Sequence, residues 1–457
     1  MTNKRKIIND PVYGFLTIDD DLIFDVISHP FFQRQRHIKQ LGFTYLVYPG
    51  AVHSRFSHML GALNLMKRAI DVLRNKGVDI SHDEALGVQL AILLHDVGHG
   101  PFSHTSERAL CNVHHEMLTQ RFMERINAEM DGALDVAIAI FNDSYPRHFL
   151  HQLVSSQLDM DRLDYLGRDS FFTGVSEGIV GTERIINMLN VKDDTLVVDE
   201  KGVYSIEKFI ISRRLMYWQV YLHKTVIAAD NLFYSILNRA RKLLTDGKAL
   251  SGYEPLLFFL RNRVGEAEFA ADPTMLDRFA SIDDGDIMST VKVWSASDDK
   301  VLSTLCRQLL WRQLPRVVVS SQPFDETTVG EHTLQVAQQY GIDRELAASF
   351  VGSGRLVNHA YNFDDTEIKV LLKNGNCLDI SEASDQLDRH FLEKTVTKYY
   401  LFFPKEKADD GRGKMADGGW LMAEVFDGAF CWREFSSERL SAKKMTLCGN
   451  FVALRTL

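Results

Sequence analysis

Cysteine is scarce in this 457-residue chain. The five residues, Cys111, Cys306, Cys377, Cys431 and Cys448, are scattered and odd in number. That excludes a disulfide framework and a cysteine-based zinc site, and predicts free thiols in a reducing compartment. No apolar run approaches the roughly 20 residues needed to span a bilayer. The start, MTNKRKIINDP, is charged and then polar, without the apolar segment of a secretory signal. Positive charge is not in excess either. The net charge is −9, which does not support nucleic acid as a partner for the whole surface. The local cluster RQRHIK, 34–39, is a candidate anion site. Repeats and low-complexity tracts are missing as well. What remains is a soluble, cytoplasmic protein without a membrane partner. Its 45% apolar and 25% charged residues are ordinary for a globular chain, and its length allows two or three domains.

Residues 1–314 carry mainly helical patterning. NDPVYGFLTI predicts a short strand or turn, and helices follow from Asp21 and, after Pro30, through FFQRQRHIKQL. Apolar residues recur at helical spacing over 56–76, with Gly77 as a stop. Residues 83–97 are so apolar that their helix must be buried on all sides. Further helices are predicted within 114–141 and 151–170 and from about 205 to 245, with a hairpin over TLVVDEKGVYSI turning at Asp199–Gly202. The character changes near Pro315. RVVVSS and KYYLFFP predict strands, TVGEHTLQVAQQYG a helix, EIKVLLKNGNCLDI a strand or hairpin, and 405–418 an exposed loop. The expectation is a mainly α fold: a helical catalytic part, 1–314, and a smaller α+β lobe, 315–457, for oligomerisation or regulation.

The stretch LLHDVGHGPFSH, 93–104, raises a chemical question. His95 and Asp96 end an apolar helix, where two ionisable groups are costly unless paired. Neighbours on a helix point about 100° apart. They converge only on something seated over the ridge between them, and a metal ion accepts ligands from so wide an angle. A hydrogen-bonded core pair is the plain alternative. Imidazole and carboxylate together suit a divalent transition metal such as Fe, Mn, Zn, Ni or Co. Two ligands hold an ion poorly, so others must come from other helices. His58 in HSRFSH and Asp161 in LDMDRLDYLGRD are the candidates.

These motifs stand in a particular order. INDPVYG, FFQRQRHIKQLG, HSRFSHMLG, HDVGHGPFSH, QLDMDRLDYLGRD and YLHK together resemble the HD-domain deoxynucleoside triphosphate triphosphohydrolases. That family includes a vertebrate SAM-and-HD-domain enzyme, whose SAM domain has no counterpart here, and bacterial relatives. The resemblance covers roughly residues 5–240. It implies an HD-domain helical core and metal ligands His58, His95, Asp96 and Asp161. It also implies hydrolysis of a dNTP to deoxynucleoside and triphosphate, by attack of a metal-activated water on the α-phosphorus.

Phosphoryl transfer also needs charge neutralisation and a proton for the leaving oxygen. His104 is a candidate for that proton, since imidazole titrates near neutrality. By resemblance His115 is a second catalytic histidine and His99 contacts the phosphates. Arg55, three residues before His58, falls near the α-phosphate. Arg213, Tyr217, Tyr221 and Lys224 form one helical stripe, by spacing alone as much core as binding site. The resemblance assigns Arg213, Tyr221, His223 and Lys224 to the nucleotide. Tyr165 and Asp169 share a helical face with Asp161. The resemblance gives Asp169 the sugar 3′-hydroxyl, Tyr165 the sugar or phosphates, Tyr221 the C2′ face, and Gln40 and Leu41 the base and sugar. A ribose 2′-hydroxyl would then meet an aromatic wall. The partners implied are a dNTP, with Mg on its triphosphate, an activating nucleotide, and further copies of the chain in a dimer or tetramer. One position departs from the pattern. Lys6, Gln33 and Arg36 match a regulatory nucleotide site, but Ser28 stands where an acidic residue reads guanine, with Asp25 one turn earlier. The competing readings are another HD-domain nucleotide phosphohydrolase, a nucleotidase or phosphodiesterase, and a nucleotide- or nucleic-acid-binding regulator with an inactive site.

Overall fold

The computed structural model describes residues 5–358, 361, 367–405, 423–426 and 429–432. The chain opens with an antiparallel hairpin, β1 (Lys6–Asp10) and β2 (Gly14–Ile18), turning at Pro11–Tyr13. Gly14 takes φ +76, which glycine adopts without strain. Helix α1 (Asp21–Ser28) starts where Asp20 accepts from Leu22 and Ile23 N–H. The helix expected through FFQRQRHIKQL is shorter. Pro30–Gln33 is α-helical and Arg34–His37 tightens to a 3₁₀ turn.

Four helices build the centre: α2 (Arg55–Asn75), α3 (His82–Leu94), α5 (His115–Glu129) and α6 (Met160–Thr173), with the short α4 (His104–Leu110) between α3 and α5. A reciprocal capping box, Ser81 with Glu84, starts α3. Beyond it Val88 and Leu90–Leu94 are buried. Each of the Val, Leu and Ile side chains among them stabilises by about 1.5–3 kcal/mol, enough for the core to dictate where the helix lies. It packs on α2 and on the Asp135–Phe141 helix, and α2 packs on α6. Those contacts bring the ends of three helices to one place.

The single helix expected over 205–245 is two, α7 (Val203–Met216) and α8 (Lys224–Thr245). A five-residue π-helical turn, Tyr217–Tyr221, ends the first. His223 then leaves helical backbone, and its Nδ1 accepts from Thr225 N–H to cap the second. Arg213 and Lys224 therefore do not share one helix. The hairpin near 195 also differs from expectation. β3 (Leu189–Lys192) and β4 (Thr195–Asp199) turn at Asp193–Asp194, both with positive φ, and Glu200–Gly202 is helical. Two residues of positive φ suit the twist of a two-residue hairpin.

Past Pro315 the elements change type while packing continues. β5 (Arg316–Ser320), β6 (Gly352–Asn358) and β9 (Val396–Phe403) form an antiparallel sheet in the order β5-β9-β6, and β5 packs on α8. β7 (Lys369–Leu371) pairs in parallel with β4 and antiparallel with β8 (Cys377–Asp379). The fold is mainly helical with a C-terminal α+β region. The first compact unit runs to Lys405. A second unit, 406–457, contains the antiparallel hairpin β10 (Ala423–Phe426) with β11 (Ala429–Trp432). All but the first residue of the loop expected over 405–418 lies outside the described residues. Among the described residues no helix is long and apolar enough to cross a membrane.

Candidate active site

His58 sits one turn into α2, His95 caps the C-terminus of α3, and Asp161 opens α6. His58 Nε2 lies 3.0 Å from Asp161 Oδ1 and 3.4 Å from His95 Nε2, and His95 Nε2 lies 3.3 Å from Asp161 Oδ1. The hydrogen bonds behind the rings decide what these atoms offer. His58 Nδ1 faces Asp164 Oδ2 at 2.7 Å and His95 Nδ1 faces the Ile92 carbonyl at 2.6 Å. Each partner is an acceptor only, so both Nδ1 atoms carry the proton. Both Nε2 atoms then present lone pairs toward each other and toward a carboxylate oxygen. That arrangement calls for a cation. Ligand atoms about 2.0–2.2 Å from one ion lie roughly 3.0–3.4 Å apart, and the three separations fall in that range. The residues present fit a divalent metal.

Protonation answers the same need when metal is absent. Burial opposes a charge on His58, but Asp161 and Asp164 outweigh it and raise the group to about 10. His95 is also raised: burial opposes, while Asp96 and Asp161 attract the proton. Asp161 is held below the usual carboxylate range by the two histidines, against its own burial.

Asp96 sits at the rim of this group. Its oxygens lie 3.7 Å from His58 Nε2 and 3.6 Å from His95 Nε2. The carboxylate also accepts a hydrogen bond from Arg55 NH1 and lies 3.3 Å from His99 Nε2. Arg55 Nε and NH2 both donate to Ser103 Oγ, at 3.1 and 2.7 Å. Phe102 and Ser103 take φ +52 and +53, strain of a kind that persists where the surroundings fix the chain. The fixing groups are plain. Phe102 stacks on Phe43 at 4.0 Å, and Asp284 accepts from Phe102 N–H and Lys39 N–H. The loop that leads from α3 into α4 and the Gln40 segment thus share one buried anchor, Asp284.

A second cluster lies beside the first. His99 Nδ1 and His115 Nδ1 share Glu107 Oε1, at 3.0 and 3.3 Å, with their rings stacked 4.0 Å apart. Gly98 allows this approach, since a Cβ there would meet the His115 carbonyl and Thr119 N at 2.3 Å. The two histidines differ in proton affinity. Burial and the Arg55 charge push His99 down to about 4. His115, less buried, is raised by its hydrogen bond to Glu107. His104 begins α4, and its side chain is outside the described residues.

On the far side Asp169 closes a small aromatic corner. Its Oδ1 meets His53 Nε2 and its Oδ2 accepts from the Tyr221 hydroxyl, both at 2.8 Å. The Tyr221 ring stands edge-on to Tyr165 and Tyr217. Gln40 Oε1 is buried without a hydrogen-bond partner among the described residues, and Leu41 is partly buried. Arg213 is buried with NH1 3.5 Å from the Gln157 carbonyl, whereas Lys224 is exposed. Sequence reasoning missed His53, Asp164, Ser103 and Glu107. Asp164 lies three residues from Asp161 on the same helix, but in so charged a segment that spacing alone does not set it apart.

A helical scaffold that gathers two histidines and an aspartate, with ligand atoms close enough to hold one divalent metal, has the arrangement of an HD-type centre. Comparison with known proteins agrees. The HD domain model matches residues 55–168 and the HD associated region matches 180–251. The uncharacterized protein YwfO of Bacillus subtilis is 33% identical over 422 residues, covering 90% of this chain and 94% of that protein. A solved phosphohydrolase from Bacteroides thetaiotaomicron has TM-score 0.85 and 50% identity, covering 88% of this chain and all of that one. A deoxynucleoside triphosphate triphosphohydrolase SAMHD1 homolog of Dictyostelium discoideum is 32% identical over 239 residues, 48% of this chain and 46% of that protein. The chain belongs to the HD-domain phosphohydrolase family.

Proposed function

We propose that the protein is a metal-dependent dNTP triphosphohydrolase that releases a deoxynucleoside and intact triphosphate. The supporting observation is the corner formed by Asp169, His53 and Tyr221. A carboxylate fixed on both oxygens, with a phenol ring beside it, suits a sugar that has a 3′-hydroxyl and no 2′-hydroxyl. Gln40 and Leu41 would face base and sugar, and Tyr165 the sugar or phosphates. Held by His58, His95 and Asp161 with Asp96 at the rim, a divalent ion (Fe, Mn, Zn, Ni or Co) would supply an activated water and positive charge. Arg55 adds a fixed charge for the α-phosphate. His99, neutral at physiological pH, contacts phosphate without adding charge. His115, whose proton affinity Glu107 raises against burial, is the second catalytic histidine, and His104 is assigned to protonate the 5′-oxygen that leaves. Arg213, His223 and Lys224 complete the triphosphate contacts, with Mg on the triphosphate. Incubation of the Mn-loaded protein with dNTPs and ribonucleotides, followed by chromatography, tests this. Deoxynucleoside plus triphosphate is expected from dNTPs alone; stepwise phosphate loss or diester cleavage would favour a nucleotidase or phosphodiesterase.

The active form is proposed to be a homo-oligomer, dimer or tetramer, assembled with an activating nucleotide. Lys6, over the Phe24 ring, and Gln33, bonded to the Ile27 carbonyl and to Arg36, bracket α1, where Ser28 is exposed. Serine cannot offer guanine a carboxylate, and a charged partner is worth about 1.5–3 kcal/mol, roughly 10–150-fold in affinity. Activation is therefore expected not to be specific for guanine. A titration of GTP, dGTP, ATP and dATP with light scattering checks it, and activation by GTP alone would contradict it.

A further inference from the structure

His58 is held from behind by a string of charged groups that reaches the N-terminal hairpin. Its Nδ1 donates to Asp164 Oδ2 at 2.7 Å. Arg168 grips the same carboxylate with Nε at 2.8 Å and NH2 at 3.0 Å, a two-point contact that fixes orientation as well as distance. The remaining nitrogen, NH1, donates to Asp10 Oδ2 at 2.8 Å. Asp10 Oδ1 accepts from Val12 N–H and Tyr13 N–H in the β1–β2 turn, and the Tyr13 ring lies 5.6 Å from the guanidinium carbon. The side chains of His58, Asp164 and Arg168 are wholly buried and that of Asp10 nearly so.

Two features separate this string from an ordinary internal ion pair. Two carboxylates surround one guanidinium, so with His58 neutral the string itself carries one net negative charge. A cation beyond His58 balances it. Second, the helix that carries His58 makes room for the string. A Cβ at Gly61, one turn on from His58, would lie 2.0 Å from Asp164 Oδ1 and 2.2 Å from Arg168 NH2.

We infer that Asp164, Arg168 and Asp10 are positioning residues for the metal centre, with the N-terminal hairpin as their far anchor. They fix the His58 tautomer, aim Nε2 at the ion and supply negative charge behind it. The inference rests on the metal reading above and extends it to residues that touch neither metal nor substrate. Partners of a metal-bound histidine are typically worth about 10–100-fold in affinity.

The test is a chelator-competition titration of the full-length protein with Co(II), read by its visible absorption. Asp164→Asn, Arg168→Lys and Gly61→Ala are expected to bind Co(II) about 10–100-fold more weakly, with a shifted spectrum. Asp10→Asn should weaken it less, in the same direction. Thermal melts of the metal-free variants separate this from misfolding, and Asp10→Asn, farthest from the ion, serves if a nearer variant does not fold. Parent-like affinity and spectrum in the folded variants would overturn the inference. A parent protein that binds no Co(II) would overturn it together with the metal reading.

Discussion

The site holds two histidine–carboxylate clusters of nearly the same composition, and they are built for different work. In His58–His95–Asp161 each ring spends its Nδ1 proton on an acceptor behind it, so the Nε2 lone pairs converge. In His99–Glu107–His115 the rings stack and both Nδ1 atoms turn to a single carboxylate oxygen. The first presents electron pairs to a shared point and needs a cation there. The second divides proton affinity between neighbours, with His99 depressed to about 4 and His115 raised. Either trio has the composition of a metal site. What distinguishes them is where each imidazole spends its N–H, which is set by residues outside the trio.

The largest effects should come from the first cluster. His58→Ala, His95→Ala, Asp96→Ala or Asp161→Ala should abolish turnover by emptying the centre. Native-state binding at 100 times Kd adds about 2.7 kcal/mol of stability, and these variants should lose that increment, measured by melting with and without added Mn(II). In the second cluster, Glu107→Gln and His115→Ala should keep their metal while turnover falls about 10²–10⁴-fold; His104→Ala should behave likewise, and parent-like hydrolysis would reassign it as a loop residue. Outside both clusters, Tyr221→Ala should cut discrimination between dATP and ATP by roughly 10–200-fold, seen in the ratio of kcat/KM values.

The smallest effect sharpens the contrast through pH. His58 is raised from the ordinary 6.5 to about 10 in the folded protein. Its proton therefore stabilises the metal-free fold fully below about 6.5, and that contribution is lost as pH rises toward 10. Bound metal replaces the proton. The gap in Tm between Mn-loaded and metal-free protein should widen from pH 6.5 upward. A gap independent of pH would mean that His58 is not the group the ion displaces.

The sequence disclosed the first cluster better than the second. His95 and Asp96 stand out because adjacent ionisable groups at the end of an apolar helix are costly without a shared partner. The split of roles between His99 and His115 depends on Glu107, which looks like any acidic residue early in a helix. Asp164 and Arg168 resemble a solvated helix face, and only the packing of α6 on α2 buries them. The break at His223 leaves no mark, because YWQVYLHKT contains neither glycine nor proline. At the other end, the change of character near Pro315 was visible, but the pairing of β4 with β7 spans some 170 residues and has no local signature.

Metal analysis of three purified proteins addresses the division of labour most directly: the parent, Asp161→Ala and Glu107→Gln. Each trio loses its single carboxylate in one variant. One bound divalent ion per chain is expected in the parent and in Glu107→Gln, and none in Asp161→Ala. Metal kept in Asp161→Ala and lost from folded Glu107→Gln would place the ion in the other cluster and contradict the account.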